Sequence, residues 1–167
     1  DALRPRPNRG RRTSVNTFVV RSPGRPTVVI DAGSGDFLGP TAGKQRGNLA
    51  AAGIDVGEIS AVLLTHMHPD HSGGLTEPAT NAHLFPNAEI VVHENELPHW
   101  MDDAAMAKAT ERERKLFFQC ARDQIAPDLD RMRFFREGEV APGIHAVERT
   151  RAVRRCVAHL FPTLSPQ

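Results

Sequence analysis

Residues 63–74 read LLTHMHPDHSGG, so three histidines and an aspartate (His66, His68, Asp70 and His71) fall within six positions, directly after an apolar run. The chain holds eight histidines in 167 residues, and a cluster this dense is not what scattered placement gives. In an extended segment alternate side chains face the same way, so the imidazoles of His66 and His68 can reach one point. Pro69 stiffens the approach and removes an N–H. Asp70 and His71 are predicted to open a helix, where a carboxylate is welcome. Ser72, Gly73 and Gly74 keep bulk away. The pattern gives two adjacent donor pairs, His66 with His68 and Asp70 with His71. Imidazole and carboxylate donors without thiolate suit Zn²⁺, Mn²⁺ or Fe²⁺. A divalent cation lowers the pKa of bound water from about 15.7 to about 7, which would make hydrolysis feasible at neutral pH. His83, His93, His99, His145 and His159 stand alone and are expected to be structural or exposed. Ser14, Ser34 and Ser72 lack the setting of a nucleophile.

The elements that must carry this cluster are legible in outline. Two β-rich runs at 16–20 and 27–31 flank RSPGRP, whose Pro23 and Gly24 predict a hairpin turn. Residues 43–53 suit a short helix with Leu49 and Ala52 inward, stopped at Gly53. The run at 61–64 suits a strand covered on both faces. A further strand is expected at 89–93. The spacing of Met106, Ala109, Leu116, Phe117 and Cys120 predicts one amphipathic helix over 104–124, with Glu111, Arg112 and Arg114 on its wet side. Residues 131–148 read as two short strands around a turn at Glu137 and Gly138. The β–α alternation followed by meander pieces implies a mixed sheet with helices packed against it, in the α/β (α+β) class.

Composition narrows the field. The net charge is +1, with 40% hydrophobic and 25% charged residues, so no overall field points to nucleic acid or to a membrane surface. Arginine is bunched at 1–13 and after Glu148. Both stretches are expected to be solvated, and no aromatic side chains interleave the arginines to stack on bases. No apolar run approaches the ~20 residues of a membrane span. No signal peptide is recognisable, so a cytoplasmic location is expected. Cys120 and Cys156 lie far apart and are expected to be reduced thiols.

THMHPDHSGG resembles the T-H-x-H-x-D-H signature of the metallo-β-lactamase-fold hydrolases. The likeness extends over about 14–147 and includes the hairpin, the DAGSGD turn and the strand–motif–helix order. DAGSGDFLGPTAGK followed by NLAAAGID resembles the branch of methyl-parathion-hydrolase-like proteins and N-acyl-homoserine-lactone lactonases. The resemblance implies the N-terminal part of an αββα sandwich with a two-zinc site at one edge of the paired sheets. It assigns His66 and His68 to the first metal and Asp70 and His71 to the second. Asp70 would also orient a metal-activated hydroxide, and Asp31 would support the motif loop. The implied substrate is a small ester, lactone or organophosphate. A glyoxalase-II-type thioesterase or a ribonuclease of the same superfamily is the alternative.

The sequence departs from that pattern after Glu148. The family draws its third ligand for the first metal from a G-H-T-x-G-H-like segment, and here that place reads ERTRAVRRCVAHLFPTLSPQ. The bridging aspartate and the last histidine would lie further on. The expectation is a C-terminally truncated chain with three parts: an arm at 1–13, a partial domain at 14–147 and an atypical tail at 148–167, out of frame or divergent. Three further expectations follow. The sheet face left uncovered should expose apolar surface, turnover should be weak or absent in a non-catalytic fragment, and a homodimer is one way to supply missing ligands.

Overall fold

The computed structural model describes residues 14–77, 79–149 and 157–162. The arm at 1–13, and 150–156 and 163–167 of the tail, lie outside the described residues. The chain runs β1 (Phe18–Val20), β2 (Thr27–Ile30), α1 (Gln45–Ala51), β3 (Ile59–Leu63), α2 (Pro69–Ser72), β4 (Glu89–His93), α3 (Glu96–Met101) and α4 (Asp103–Lys108). Then α5 (Glu111–Glu113) passes through a π-helical segment, Arg114–Phe118, into α6 (Gln119–Ile125). β5 (Met132–Phe135), β6 (Gly138–Ala141), β7 (Ile144–Arg149) and β8 (Val157–Pro162) follow.

The first sheet has the order β1-β2-β3-β4-β5. β1 lies antiparallel to β2, across a turn in which Gly24 has φ 69° and the Arg25 N–H donates to Ser22 O at 3.1 Å. β2, β3, β4 and β5 are parallel to one another. Strand alternation divides the apolar residues between two faces. Val29, Ile59, Val62, Ile90 and Val92 pack with Leu49 of α1, Trp100 of α3, and Phe118, Ala121 and Ile125 of the long helical run. Val28, Ile30, Ala61, Leu63 and Val91 face the other way, onto Val140, Ala141, Ile144 and Ala146.

That second packing corrects the expectation of a bare sheet face. β6, β7 and β8 form an antiparallel sheet of their own, and apolar side chains of β6 and β7 pack on the first sheet. The turn at Glu137 and Gly138 therefore does not join two paired strands. It carries the chain from one sheet to the other, and β7 is the third strand of a region expected to hold two. Part of the tail at 148–167 joins this sheet. β8 pairs with β7 over Ile144–Arg149, so sheet structure continues past Glu148.

The single helix expected over 104–124 is two. Ala109 is extended, with ψ 155°, and Thr110 starts a new helix through a capping box. Its Oγ1 accepts the Glu113 N–H at 3.2 Å while Glu113 Oε2 accepts the Thr110 N–H at 2.9 Å. Two backbone donors satisfied this way outweigh the continuity of the apolar stripe. Helix α3 was not anticipated. Cys120 is a buried free thiol, and burial, then the charges of Asp123 and Asp36, push its pKa up to about 11. Among the described residues no helix is long and apolar enough to cross a membrane.

Candidate metal centre

The parallel strands β2, β3 and β4 end on the same edge of the sheet, where open α/β sheets gather their ligand-binding loops. β3 stops at Leu63. The backbone stays pinned for a residue more, because the Leu64 N–H donates to Val91 O at 2.8 Å and the Asp31 N–H to Leu63 O at 2.9 Å. The chain then enters the histidine-rich loop. Met67 turns into the core with no exposed surface, so His66 and His68 on either side of it face outward. His68 stands at the N-cap of α2 in an extended conformation, and Pro69 occupies the first turn with its φ already suited to a helix. The single turn of α2 closes as the N–H groups of His71 and Ser72 donate to His68 O, each at 2.9 Å.

The loop after β2 crosses this turn backbone to backbone. The Ala32 N–H donates to His71 O at 2.7 Å, and the Gly74 N–H to Gly33 O at 3.1 Å. This approach is why the motif ends in two glycines. A Cβ on Gly74 would lie 2.0 Å from Ala32 O, and one on Gly73 would lie 2.4 Å from Pro69 O and 2.5 Å from Ser34 O. Backbone cannot give way as a flexible side chain does. Gly74→Ala is therefore expected to cost about 3 kcal/mol, the upper end of ordinary overpacking, read as a drop in the urea midpoint. An unchanged midpoint would mean the two loops are not in this contact.

The four motif residues come together. The rings of His66 and His68 lie 4.6 Å apart between centroids, and those of His66 and His71 4.1 Å apart. Asp70 Oδ2 is 3.4 Å from His71 Nε2. Asp31 sits behind them, buried, with a φ of 56° that asparagine and aspartate tolerate better than most residues. Its Oδ2 accepts from His71 Nδ1 at 2.7 Å, and its Oδ1 accepts the Thr65 N–H at 2.8 Å. Thr65 Oγ1 lies 3.0 Å from each of the two carboxylate oxygens and 3.1 Å from His66 Nδ1. With its proton given to Asp31, the Thr65 hydroxyl is an acceptor for a His66 Nδ1–H. Both His66 and His71 then carry a hydrogen bond on Nδ1, which leaves Nε2 as the ligating atom.

Charge follows the same contacts. Burial opposes protonation of His71, but hydrogen bonds to Asp31 and then Asp70, with the charges of both, outweigh it and push its pKa up to about 9. The hydrogen bond to His71, opposed by partial burial, holds Asp70 down at about 2. The metal-free pair is therefore an imidazolium beside a carboxylate.

The donor chemistry fits a hard-to-borderline divalent cation. Two ligands of a tetrahedral zinc, with bonds of about 2.0–2.1 Å, stand roughly 3.3–3.4 Å apart, and Asp70 Oδ2 and His71 Nε2 have that separation. Among the described residues, however, no group of three or more His, Cys, Asp or Glu side chains is arranged to hold one ion. The donors stand as pairs.

The roles of four residues around the loop escaped sequence reading. Thr65 was quoted with the motif but given no role. Trp100 and Phe117 wall His68, with ring centroids 5.4 and 5.1 Å from it. Glu96, 3% exposed, accepts the Met67 N–H and the Trp100 indole N–H through one oxygen, both at 2.9 Å. The signal for Glu96 was the spacing of four to Trp100 on a helix that was not expected.

The molecule is thus a sheet-on-sheet domain flanked by helices, with a histidine–aspartate loop at the carboxyl edge of its parallel strands. The sequence model of the metallo-beta-lactamase superfamily matches residues 10–148, and the chain belongs to that superfamily. Its structure is similar to that of AbOPH, a hydrolase in the beta lactamase superfamily, at 28% identity and a TM-score of 0.74, over 85% of this chain and 50% of that one. It shares the fold of AidC, described as a dizinc quorum-quenching lactonase, at 21% identity and a TM-score of 0.66, over 77% of this chain and 46% of the other. The atrochrysone carboxyl ACP thioesterase of Passalora fulva is 37% identical over 81 residues, 48% of this chain and 22% of the thioesterase. The chain thus spans about half the length of these solved structures and less of the thioesterase.

Proposed function

We propose that His66, His68, Asp70 and His71 hold divalent cations, zinc foremost, and that the chain is the metal-bearing part of a hydrolase of small esters, lactones or organophosphate triesters. The observation that carries this reading is the Asp70–His71 pair, whose donor atoms stand 3.4 Å apart while Asp31 engages the far nitrogen of His71. A divalent cation supplies acidity, bringing the pKa of bound water toward about 7. The rest falls to the protein. Asp31 and Thr65 orient two imidazoles, the Asp70 carboxylate accepts a hydrogen bond from the attacking water, and Trp100 and Phe117 keep bulk water from one side of His68. His66 and His68 give the first cation two protein donors where a catalytic zinc usually has three. Turnover by this 167-residue chain is accordingly expected to be weak. A thioester substrate is the second reading, favoured by the likeness to the Passalora fulva thioesterase.

The test compares the zinc-loaded chain with His68→Ala on p-nitrophenyl esters, a lactone and an acyl thioester, with zinc uptake measured in parallel. Loss of a ligand should exceed the roughly 10–100-fold penalty typical of outer contacts, so His68→Ala should lower kcat/KM by about 100-fold or more and weaken zinc uptake. Undiminished turnover in His68→Ala would place the chemistry elsewhere, and the preferred leaving group separates lactone or ester from thioester.

A further inference from the structure

We propose that Glu96 is a positioning residue of the metal centre, acting through Met67 and Trp100 to set the angle between His66 and His68. The inference rests on the reading of those histidines as ligands. A carboxyl group 3% exposed needs partners to be tolerated. Glu96 takes two of them through Oε2, the Met67 N–H and the Trp100 Nε1–H, each at 2.9 Å. Met67 is the residue between the two histidines, and its amide lies in neither helix nor strand. Fixing that N–H fixes the His66–Met67 peptide plane, at the Cα from which the His66 imidazole departs. Trp100 is the other route. Its ring lies 5.4 Å from that of His68 at 66°, and its carbonyl accepts from Arg122 Nε at 2.9 Å. One oxygen therefore ties the backbone of the ligand loop to the aromatic wall behind one ligand.

The experiment uses two readouts on the full chain: cobalt affinity from the visible absorption of Co²⁺, and hydrogen exchange of the Met67 amide in the metal-free protein. In the wild type the Met67 amide should exchange as slowly as the amides of β3. Glu96→Ala should speed that amide by about tenfold or more without changing those of β3, and should weaken cobalt binding by about 10–100-fold. Glu96→Gln, which keeps an acceptor oxygen, should stay within about threefold of wild type in cobalt affinity. Should Glu96→Ala fail to fold, Glu96→Asp carries the test. It keeps the charge but is too short to reach both donors, and about a tenfold loss of cobalt affinity is expected. Normal cobalt affinity and slow Met67 exchange in the folded variant would overturn the inference alone. A wild-type chain that takes up no cobalt would overturn the metal centre, and the inference with it.

Discussion

Replacing Asp31 with alanine is expected to destabilise the metal-free protein by about 3–4 kcal/mol. Three losses add. The Thr65 N–H, 2.8 Å from Asp31 Oδ1, would be left without its acceptor, at about 1–3 kcal/mol. The charged hydrogen bond to His71, 2.7 Å long, would go, and such bonds contribute about 1.5–3 kcal/mol. Alanine would also have to hold a φ of 56°, where its Cβ crowds the backbone without the side-chain hydrogen bonds that help aspartate there, at about 1 kcal/mol. Partial solvation of the freed groups keeps the total below the simple sum. Asp31→Asn separates the contributions. It tolerates the same backbone and keeps an acceptor oxygen for the Thr65 N–H, but its NH2 group faces the His71 Nδ1–H, so both the charge and the acceptor opposite His71 disappear, and about 2 kcal/mol should be lost. Urea unfolding of the three proteins at one pH measures both differences, provided the m-values agree. An alanine variant within ~0.5 kcal/mol of wild type, the range of ordinary surface changes, would mean that Asp31 does not hold the loop.

Raising the pH should move stability and zinc affinity in opposite directions. The pKa of His71 in the folded, metal-free protein lies at about 9 against an ordinary 6.5. A raised pKa means that the folded state binds this proton more tightly than the unfolded chain. The stabilisation is therefore complete below 6.5 and is lost as the pH climbs through 9. Solvent reaches part of the ring, and screening limits the effect to about 1–2 kcal/mol. Asp70 works from the other end. Its pKa, lowered from 3.8 to about 2, gives stabilisation that is present above 3.8 and lost as the pH falls through 2. Zinc requires a neutral imidazole, so binding must expel the His71 proton. Between pH 7 and 8 the apparent zinc affinity should rise about tenfold, with about one proton released per ion bound at the Asp70–His71 pair. Calorimetry in two buffers of different ionisation enthalpy counts that proton. His71→Asn should abolish the alkaline loss of stability. Flat stability between pH 6.5 and 9 in the wild type would contradict the ion pairs of His71 with Asp31 and Asp70.

Local pattern carried the reading of the fold where burial was two-sided or alternating. The run at 61–64 lies within or just after a central parallel strand, and 89–93 is a strand to the residue. The hairpin followed from Pro23 and Gly24 between two β-rich runs. What failed was decided by longer-range partners or by competing local signals. The break at Ala109 was written in the sequence as Thr110 followed three residues later by Glu113, but the apolar spacing from Met106 to Cys120 argued for continuity and hid it. The second sheet escaped because nothing within 138–149 says which surface it will cover. Only the pairing of Val140, Ala141, Ile144 and Ala146 with the far face of β2, β3 and β4 settles that. At the site, the motif was legible because its residues adjoin in sequence. Glu96 was not, because its burial depends on an amide 29 residues away. An acidic residue near a strand end otherwise reads as surface.

The central claim is that four side chains of one short loop face positions that a cation can occupy. X-ray absorption at the zinc edge of the zinc-loaded chain tests it most directly. The expected spectrum has nitrogen and oxygen neighbours at about 2.0–2.1 Å with the multiple scattering of at least one imidazole, and it loses imidazole scattering in His66→Ala and His71→Ala. A shell of sulfur at about 2.3 Å, or zinc uptake indifferent to all four substitutions in the loop, would contradict it.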